Sequence, residues 1–306
     1  MTDHKVPIDD DSMYANVYSF IGLPLSRDIE NAAVDAVVMG VPYDLATSGR
    51  AGTRSGPTAI RQSSANLRWE EQRWPWPFSL SEKLAAIDYG DIQFLWGDSS
   101  AMLEEVENHA AMITGAGKTL VTFGGDHFVT LPLLRGHAKT HGCLSLIHFD
   151  AHTDTYDEDS EYNHGCMFYR APKEGLIDPA SSIQVGIRTD YDRDNHGFEV
   201  VDGHMANELS VEEIVSRIRT RVGDTAAYLT FDIDALDPAF APGTGTPVVG
   251  GLTTSRALQI LKGIADLNIV GFDVVEVSPA YDHAEVTSLA AAAIALQFLY
   301  MRASRI

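Results

Sequence analysis

Short apolar runs alternate with longer amphipathic stretches along almost the whole chain. Eight runs are continuous and rich in valine and isoleucine: Ala36–Val41, Leu84–Ile87, Leu120–Phe123, Leu144–Phe149, Ile183–Ile187, Glu199–Val201, Tyr228–Phe231 and Ile269–Val277. Unbroken hydrophobicity of this length predicts strands buried on both faces. Between them, Ser100–Thr114, Leu131–Thr140 and Thr254–Leu267 carry helical spacing, and Ser210 followed by Glu213 has the form of a capping box that opens another helix. The apolar tail Thr287–Met301, with alanines at 290–293, predicts a helix packed against the sheet. Such alternation predicts an α/β fold, a mostly parallel twisted sheet with helices on both sides. Ligands of these folds bind at the carboxyl ends of the strands, so the chemistry is expected in the loops that follow them.

Length and composition narrow the picture. A chain of 306 residues is long enough for two domains of about 150 residues, but one large α/β sheet can occupy the whole of it. The expectation is one domain over 1–306, with residues 1–30 as an extension packing on the domain or on a neighbouring subunit. No apolar run approaches the roughly 18–20 residues that cross a bilayer. The polar, acidic start MTDHKVPIDDDSMY is neither a signal nor a transit peptide, so a cytoplasmic location is expected. Cys143 and Cys166 form neither a CxxC pair nor a disulfide framework, which fits a reducing compartment, and both read as small buried apolar residues. The formal charge of −21 excludes nucleic-acid binding through the phosphate backbone. It suits a cationic small molecule, although a solvated acidic surface accounts for most of it equally well.

The acids cluster in a particular way. Gly124-Gly125-Asp126-His127 follows the third predicted strand, Asp150-Ala151-His152-Thr153-Asp154 the fourth, and Asp232-Ile233-Asp234 the seventh. In extended chain, alternate residues share a face, so Asp150, His152 and Asp154 point together, as do Asp232 and Asp234. Four carboxylates in one cleft cannot all stay ionised without a cation, and no lysine or arginine adjoins them in sequence. Two divalent ions supply +4 against −4. Carboxylates with imidazoles and no thiolate suit manganese, and zinc or cobalt fits the same donors. A pair of such ions about 3.5–4 Å apart generates hydroxide near neutral pH. Asp126 either orients a neighbouring ligand or caps a helix. His148, inside its strand, is expected to point away from the ligand face as a satisfied core histidine.

At this point the motifs match a family. GGDHFVTLPLLR at 124–135, HFDAHTDTYD at 148–157, LTFDIDALDPAFAPGTGTP at 229–247 and DVVEVSPAYD at 273–282 resemble the ureohydrolases, arginase and agmatinase among them, and the resemblance covers essentially the whole chain. GVPYDLATSGRAGTRSGPTAIR at 40–61 is most similar to the bacterial agmatinases. The resemblance implies a three-layer α/β/α arginase-like fold with an eight-stranded sheet, and assembly as a homotrimer or homohexamer. It implies two manganese ions, one held by His127, Asp150, Asp154 and Asp232 and the other by Asp150, His152, Asp232 and Asp234. It also implies that Glu276 grips the substrate guanidinium by paired hydrogen bonds, that Asp154 relays a proton to the leaving amine, and that His164 shuttles protons. The glycines of 243–247 either let backbone approach the site or make a tight connection. The 47–57 stretch reads as flexible, near the site mouth, with Arg50 or Arg54 available for subunit contacts.

Arginases carry an asparagine for the substrate carboxylate in the loop after the DAHTD run. Here Tyr156 stands in its place and the acids Asp157, Glu158, Asp159 and Glu161 follow. Such a loop repels a carboxylate and attracts a distal ammonium, which points to agmatine, converted to putrescine and urea, with Tyr156, Asp157 and Asn163 as substrate contacts. A hydrolase of another guanidino or formimino compound and a non-catalytic homologue are the alternatives. A deacetylase of related fold is disfavoured by a ligand set suited to two metals.

Overall fold

The computed structural model describes residues 19–70, 72–157, 160 and 162–306, so the expected N-terminal extension is described only from residue 19. The strands are β1 (Ala36–Gly40), β2 (Ala86–Asp91), β3 (Thr119–Phe123), β4 (Ser145–Phe149), β5 (Ile183–Ile187), β6 (Glu199–Asp202), β7 (Ala227–Asp232) and β8 (Ile269–Val275). They form one sheet in the order β2-β1-β3-β8-β7-β4-β5-β6, and every pairing is parallel. The helices are α1 (Gly56–Ser64), α2 (Leu80–Lys83), α3 (Ser99–Gly115), α4 (Thr130–His141), α5 (Met167–Lys173), α6 (Gly203–Glu208), α7 (Val211–Val222), α8 (Thr254–Gly263) and α9 (Val286–Ala303).

Two cores sandwich the sheet. Val38, Phe123, Phe149, Leu229 and Val274 meet Ile60 of α1, Ile214 and Ile218 of α7, Ile260 of α8 and Ile294 of α9. Val37, Leu120, Leu146, Tyr228 and Val275 meet Val106 of α3, Leu134 of α4 and Phe168 of α5. Neighbouring strand residues go to opposite cores, as the two-residue period requires. The result is the three-layer α/β/α architecture. The capping box opens α7 as predicted: Ser210 Oγ accepts from Glu213 N–H at 3.1 Å, and Glu213 Oε2 accepts from Ser210 N–H at 2.8 Å. Gly136 lets α4 lie hard against α3, where an added Cβ would stand 2.5 Å from that of Ala110.

The differences from expectation have local causes. β2 starts later than Leu84 and runs on through Asp88, a polar residue inside a strand. Asp88 is fully buried because Arg61 of α1 donates to it from Nε (2.8 Å) and Nη2 (3.0 Å) while Phe20 N–H donates at 2.8 Å. That same pairing anchors α1, of which only Gly56 and Pro57 belong to the 47–57 stretch read as flexible. The chain before α1 is pinned too: Gly52 N–H and Arg54 Nε donate to Asp44 at 2.8 and 2.5 Å. Arg54 is thereby engaged within the chain, and Arg50 lies over the Tyr281 ring at 4.9 Å. Cys166 is buried as expected, but Cys143 is exposed, in the turn between α4 and β4. α9 is long and apolar enough to cross a membrane, contrary to the sequence expectation, yet 83% of it is buried inside the fold, as a core helix.

Candidate metal centre and active site

Because the sheet is parallel, the carboxyl ends of β3, β4, β7 and β8 share one rim. After β3, Asp126 caps a single 3-10 turn, its Oδ1 accepting from Phe128 N–H at 3.2 Å, and its Oδ2 accepts from Ala46 N–H at 2.8 Å. It caps a turn and anchors the 44–54 loop. β7 ends on Asp232, whose Oδ1 accepts from Asp234 N–H at 2.8 Å and folds the following turn. Two residues of this rim hold left-handed backbone without being glycine, Asp154 at φ 51° and Glu276 at φ 62°.

Asp150, Asp154, Asp232 and Asp234 converge there at 0, 5, 3 and 1% exposure. His127 Nδ1 lies 2.9 Å from Asp154 Oδ2, 3.1 Å from Asp150 Oδ2 and 3.2 Å from Asp232 Oδ2, yet has no hydrogen-bond partner. A buried nitrogen aimed among three carboxylates presents a lone pair to a cation. Its ring is fixed from behind. Nε2 meets Thr230 Oγ1 at 2.9 Å, Thr230 donates to Asp273 Oδ1 at 2.5 Å, and Thr130 and Tyr228 donate to Asp273 Oδ2 at 2.9 and 2.8 Å. With the threonine proton committed to Asp273, Nε2 carries the ring proton and Nδ1 is left bare.

The second group is Asp150, His152 and Asp234, with His152 Nδ1 at 3.2 Å from both Asp150 Oδ1 and Asp234 Oδ2. Asp150 thus sends one oxygen to each histidine. Electrostatics demand positive charge here. Burial disfavours a charged His127, but the closeness of the Asp150, Asp154 and Asp232 carboxylates holds its pKa well above the ordinary range. His152 is likewise raised, against its burial, to about 12 by Asp234 and Asp150. Burial and then the neighbouring carboxylates push Asp232 and Asp234 upward. Arg188, whose charge reaches Asp234 and Asp150, is turned to backbone carbonyls, including Asp234 O at 2.6 Å and Val248 O at 2.7 Å. The donor set therefore fits two divalent cations.

His148 departs from expectation. It is buried, but Nε2 stands 2.7 Å from Asp150 Oδ2 and Nδ1 meets Gln184 Nε2 at 3.0 Å, so it points to the ligand face. Residues 148 and 150 are two apart in extended chain and share a side.

Glu276, 1% exposed, accepts at Oε1 from His127 N–H (2.8 Å) and from His164 Nδ1 (2.9 Å), while Oε2 has no partner. Oε1 is thus engaged within the chain, and Oε2 is the oxygen left open to a ligand. A Cβ on Gly245 would lie 3.5 Å from Oε2 and 3.2 Å from Arg50 O, so this glycine allows the close backbone approach.

His164 is held at both nitrogens. Opposite Glu276, its Nε2 receives the main-chain N–H of Ser48 at 3.0 Å and lies 2.8 Å from Ser48 Oγ. Burial disfavours the charged ring, but the bond to Glu276 and the charges of Glu276, Asp154 and Asp126 raise its pKa to about 9. The Ser48 N–H opposes that upward shift: it needs a lone pair at Nε2, so the geometry observed is that of the neutral ring with its proton on Nδ1. A second proton is gained only by giving up that contact.

Ser48, His152, Asp154, Tyr156, Asn163 and His164 are among the residues lining a cavity of about 190 Å³. Tyr156 OH donates to Asp190 O at 3.1 Å, and Asn163 Oδ1 accepts from Gly165 N–H at 2.7 Å. Asp157 is exposed and lines an adjoining hollow instead. Glu158, Asp159 and Glu161 lie outside the described residues. Ser48 and the orientation of His148 were missed from sequence. The i, i+2 spacing was a signal for the second, and no local signal marks the first.

Known proteins resemble this chain in both sequence and fold. The model of the arginase family matches residues 34–301. The agmatinase of Shigella sonnei is 55% identical over 296 residues, covering 97% of this chain and 96% of that protein. A crystal structure of a hypothetical agmatinase from Burkholderia thailandensis superposes with a TM-score of 0.92 at 47% identity, covering 96% of this chain and 93% of that one. Proclavaminate amidino hydrolase from Streptomyces clavuligerus gives 0.89 at 38% identity, over 95% and 99%. A family model matched over most of the chain, and a relative of this identity along nearly all of it, place the chain in the arginase family.

Proposed function

We propose that this ureohydrolase cleaves agmatine to putrescine and urea, working as one domain with two manganese ions per subunit, as a cytoplasmic homotrimer or homohexamer. The observation that carries the reading is the placement of a buried anion beside a divided ligand. Asp150 splits its oxygens between two histidine-containing groups, and His127 N–H ties Glu276 to that cluster.

His127, Asp150, Asp154 and Asp232 would hold one ion and Asp150, His152, Asp232 and Asp234 the other. When bound, such a pair supplies hydroxide near neutral pH. The chain's own residues do the rest. Glu276 Oε2 takes a guanidinium N–H in a charge-assisted hydrogen bond and presents the carbon to the cluster. Asp154 takes a proton at its carboxylate and returns it toward the leaving nitrogen. His164, with its imidazole between the carboxylate and solvent, exchanges protons with the departing amine. Tyr156 and Asn163 wall the cavity where the butyl chain would lie, and the acidic loop, with Asp157, favours a terminal ammonium.

A guanidino acid is the second reading, favoured by the similarity to proclavaminate amidino hydrolase. Urea release from agmatine, arginine and guanidinobutyrate, assayed with added manganese, separates them. Agmatine should exceed the others by orders of magnitude, and equal rates refute the assignment.

A further inference from the structure

We propose that Ser48 is a positioning residue for His164: its main-chain N–H fixes the ring as the Nδ1–H form, and its hydroxyl carries protons between Nε2 and solvent. The proposal rests on the reading of His164 as the proton-transfer residue and goes beyond it, by naming the route.

The His164 side chain is 11% exposed, and both its nitrogens are occupied within the chain. Nδ1 faces the buried Glu276, so no proton leaves on that side. Nε2 faces Ser48, which is exposed. The loop that brings Ser48 there is bound to the histidine's own segment. His164 N–H donates to Ala46 O at 3.1 Å, Ala46 N–H donates to Asp126 Oδ2 at 2.8 Å, and the far side is closed by the Asp44 bonds to Gly52 and Arg54. Serine and imidazole therefore keep their distance without relying on each other.

The transfer balances. A proton that Nε2 takes from a group in the cavity, displacing the Ser48 N–H from its lone pair, passes to Ser48 Oγ as the hydroxyl proton passes to a water outside; the donor ends one proton poorer, the water one richer, and the serine as it began. The ring returns to the Nδ1–H form, which the Ser48 N–H favours because only a bare Nε2 accepts it. The reverse sequence brings a proton in.

The test compares metal-loaded wild type with Ser48→Ala, Ser48→Thr, His164→Ala and the Ser48→Ala/His164→Ala pair, on whichever guanidine the wild type hydrolyses fastest. Failure of the agmatine assignment then leaves the Ser48 comparison intact. Ser48→Ala keeps the main-chain N–H and removes only the hydroxyl. In weakly buffered solution it should lose about tenfold or more in kcat with KM little changed, as expected when a proton-transfer group is removed. Threonine or added imidazole should restore the rate, and Ser48→Ala should cost nothing further in the His164→Ala background. A wild-type kcat for Ser48→Ala overturns the proposal. So does a loss that neither threonine nor imidazole restores, or one that persists in full without His164.

Discussion

Replacing Thr230 by valine removes a single oxygen at nearly constant shape, and its effect on metal binding can be worked from the contacts. In the native chain Thr230 Oγ1 lies 2.9 Å from His127 Nε2 and donates to Asp273 at 2.5 Å, with all three side chains essentially buried. Valine leaves the His127 N–H and one Asp273 oxygen without a partner. A buried unmatched polar group costs about 1–3 kcal/mol. The ring escapes this cost only by moving its proton to Nδ1, where it blocks the metal. The penalty therefore falls on the metal-bound form. At 1.4 kcal/mol per factor of ten, affinity for the ion at His127 should fall between about fivefold and a hundredfold. Removal of a partner behind a metal-ligating histidine elsewhere costs about 10–100-fold, a similar range. The ion on the His152 side should be retained, since His152 does not touch this network. Equilibrium dialysis against manganese with elemental analysis reads both sites, and Thr230→Ser should recover most of the loss. Wild-type affinity at both sites in Thr230→Val would refute the relay.

Asp150→Asn should weaken both sites, because the two oxygens serve different histidines, and an unchanged metal content after dialysis would contradict the shared-ligand geometry. Arg61→Met strands Asp88 in the core and should destabilise the fold by about 3–5 kcal/mol in urea unfolding, whereas a change below about 1 kcal/mol would show that the pair carries no such load. His137 is buried against Tyr228, and burial outweighs its bond to Leu133 O and lowers its pKa to about 4. A base with a depressed folded pKa favours the fold above its ordinary value near 6.5, and that contribution disappears as pH falls toward 4. His137→Gln should therefore lose less stability than wild type between those pH values, and parallel losses would refute the assignment.

Much of this was legible in the sequence because the strongest signals are local. The eight apolar runs became eight strands, and the acids and histidines after β3, β4 and β7 came to one rim because parallel strands all end there. What was hidden depends on distant partners. β2 was cut short because Asp88 and Asp91 look like loop residues until Arg61 arrives from α1. The chain before α1 read as flexible because its anchors, Asp44 and Asp126, act through backbone N–H groups that any residue supplies. Ser48 carries no pattern of its own, since its importance comes from the imidazole it meets. That Glu276 holds Oε1 back and leaves Oε2 open follows from the His127 N–H, which follows the turn after β3, and from His164.

The left-handed backbone at Asp154 and Glu276 sets local stability against the side chains the rim carries. Outside glycine that conformation costs about 1–2 kcal/mol per residue. Glycine at either position would lift that cost and take a carboxylate off the rim with it, so at these two places the main chain is held in a costlier shape than the fold alone requires.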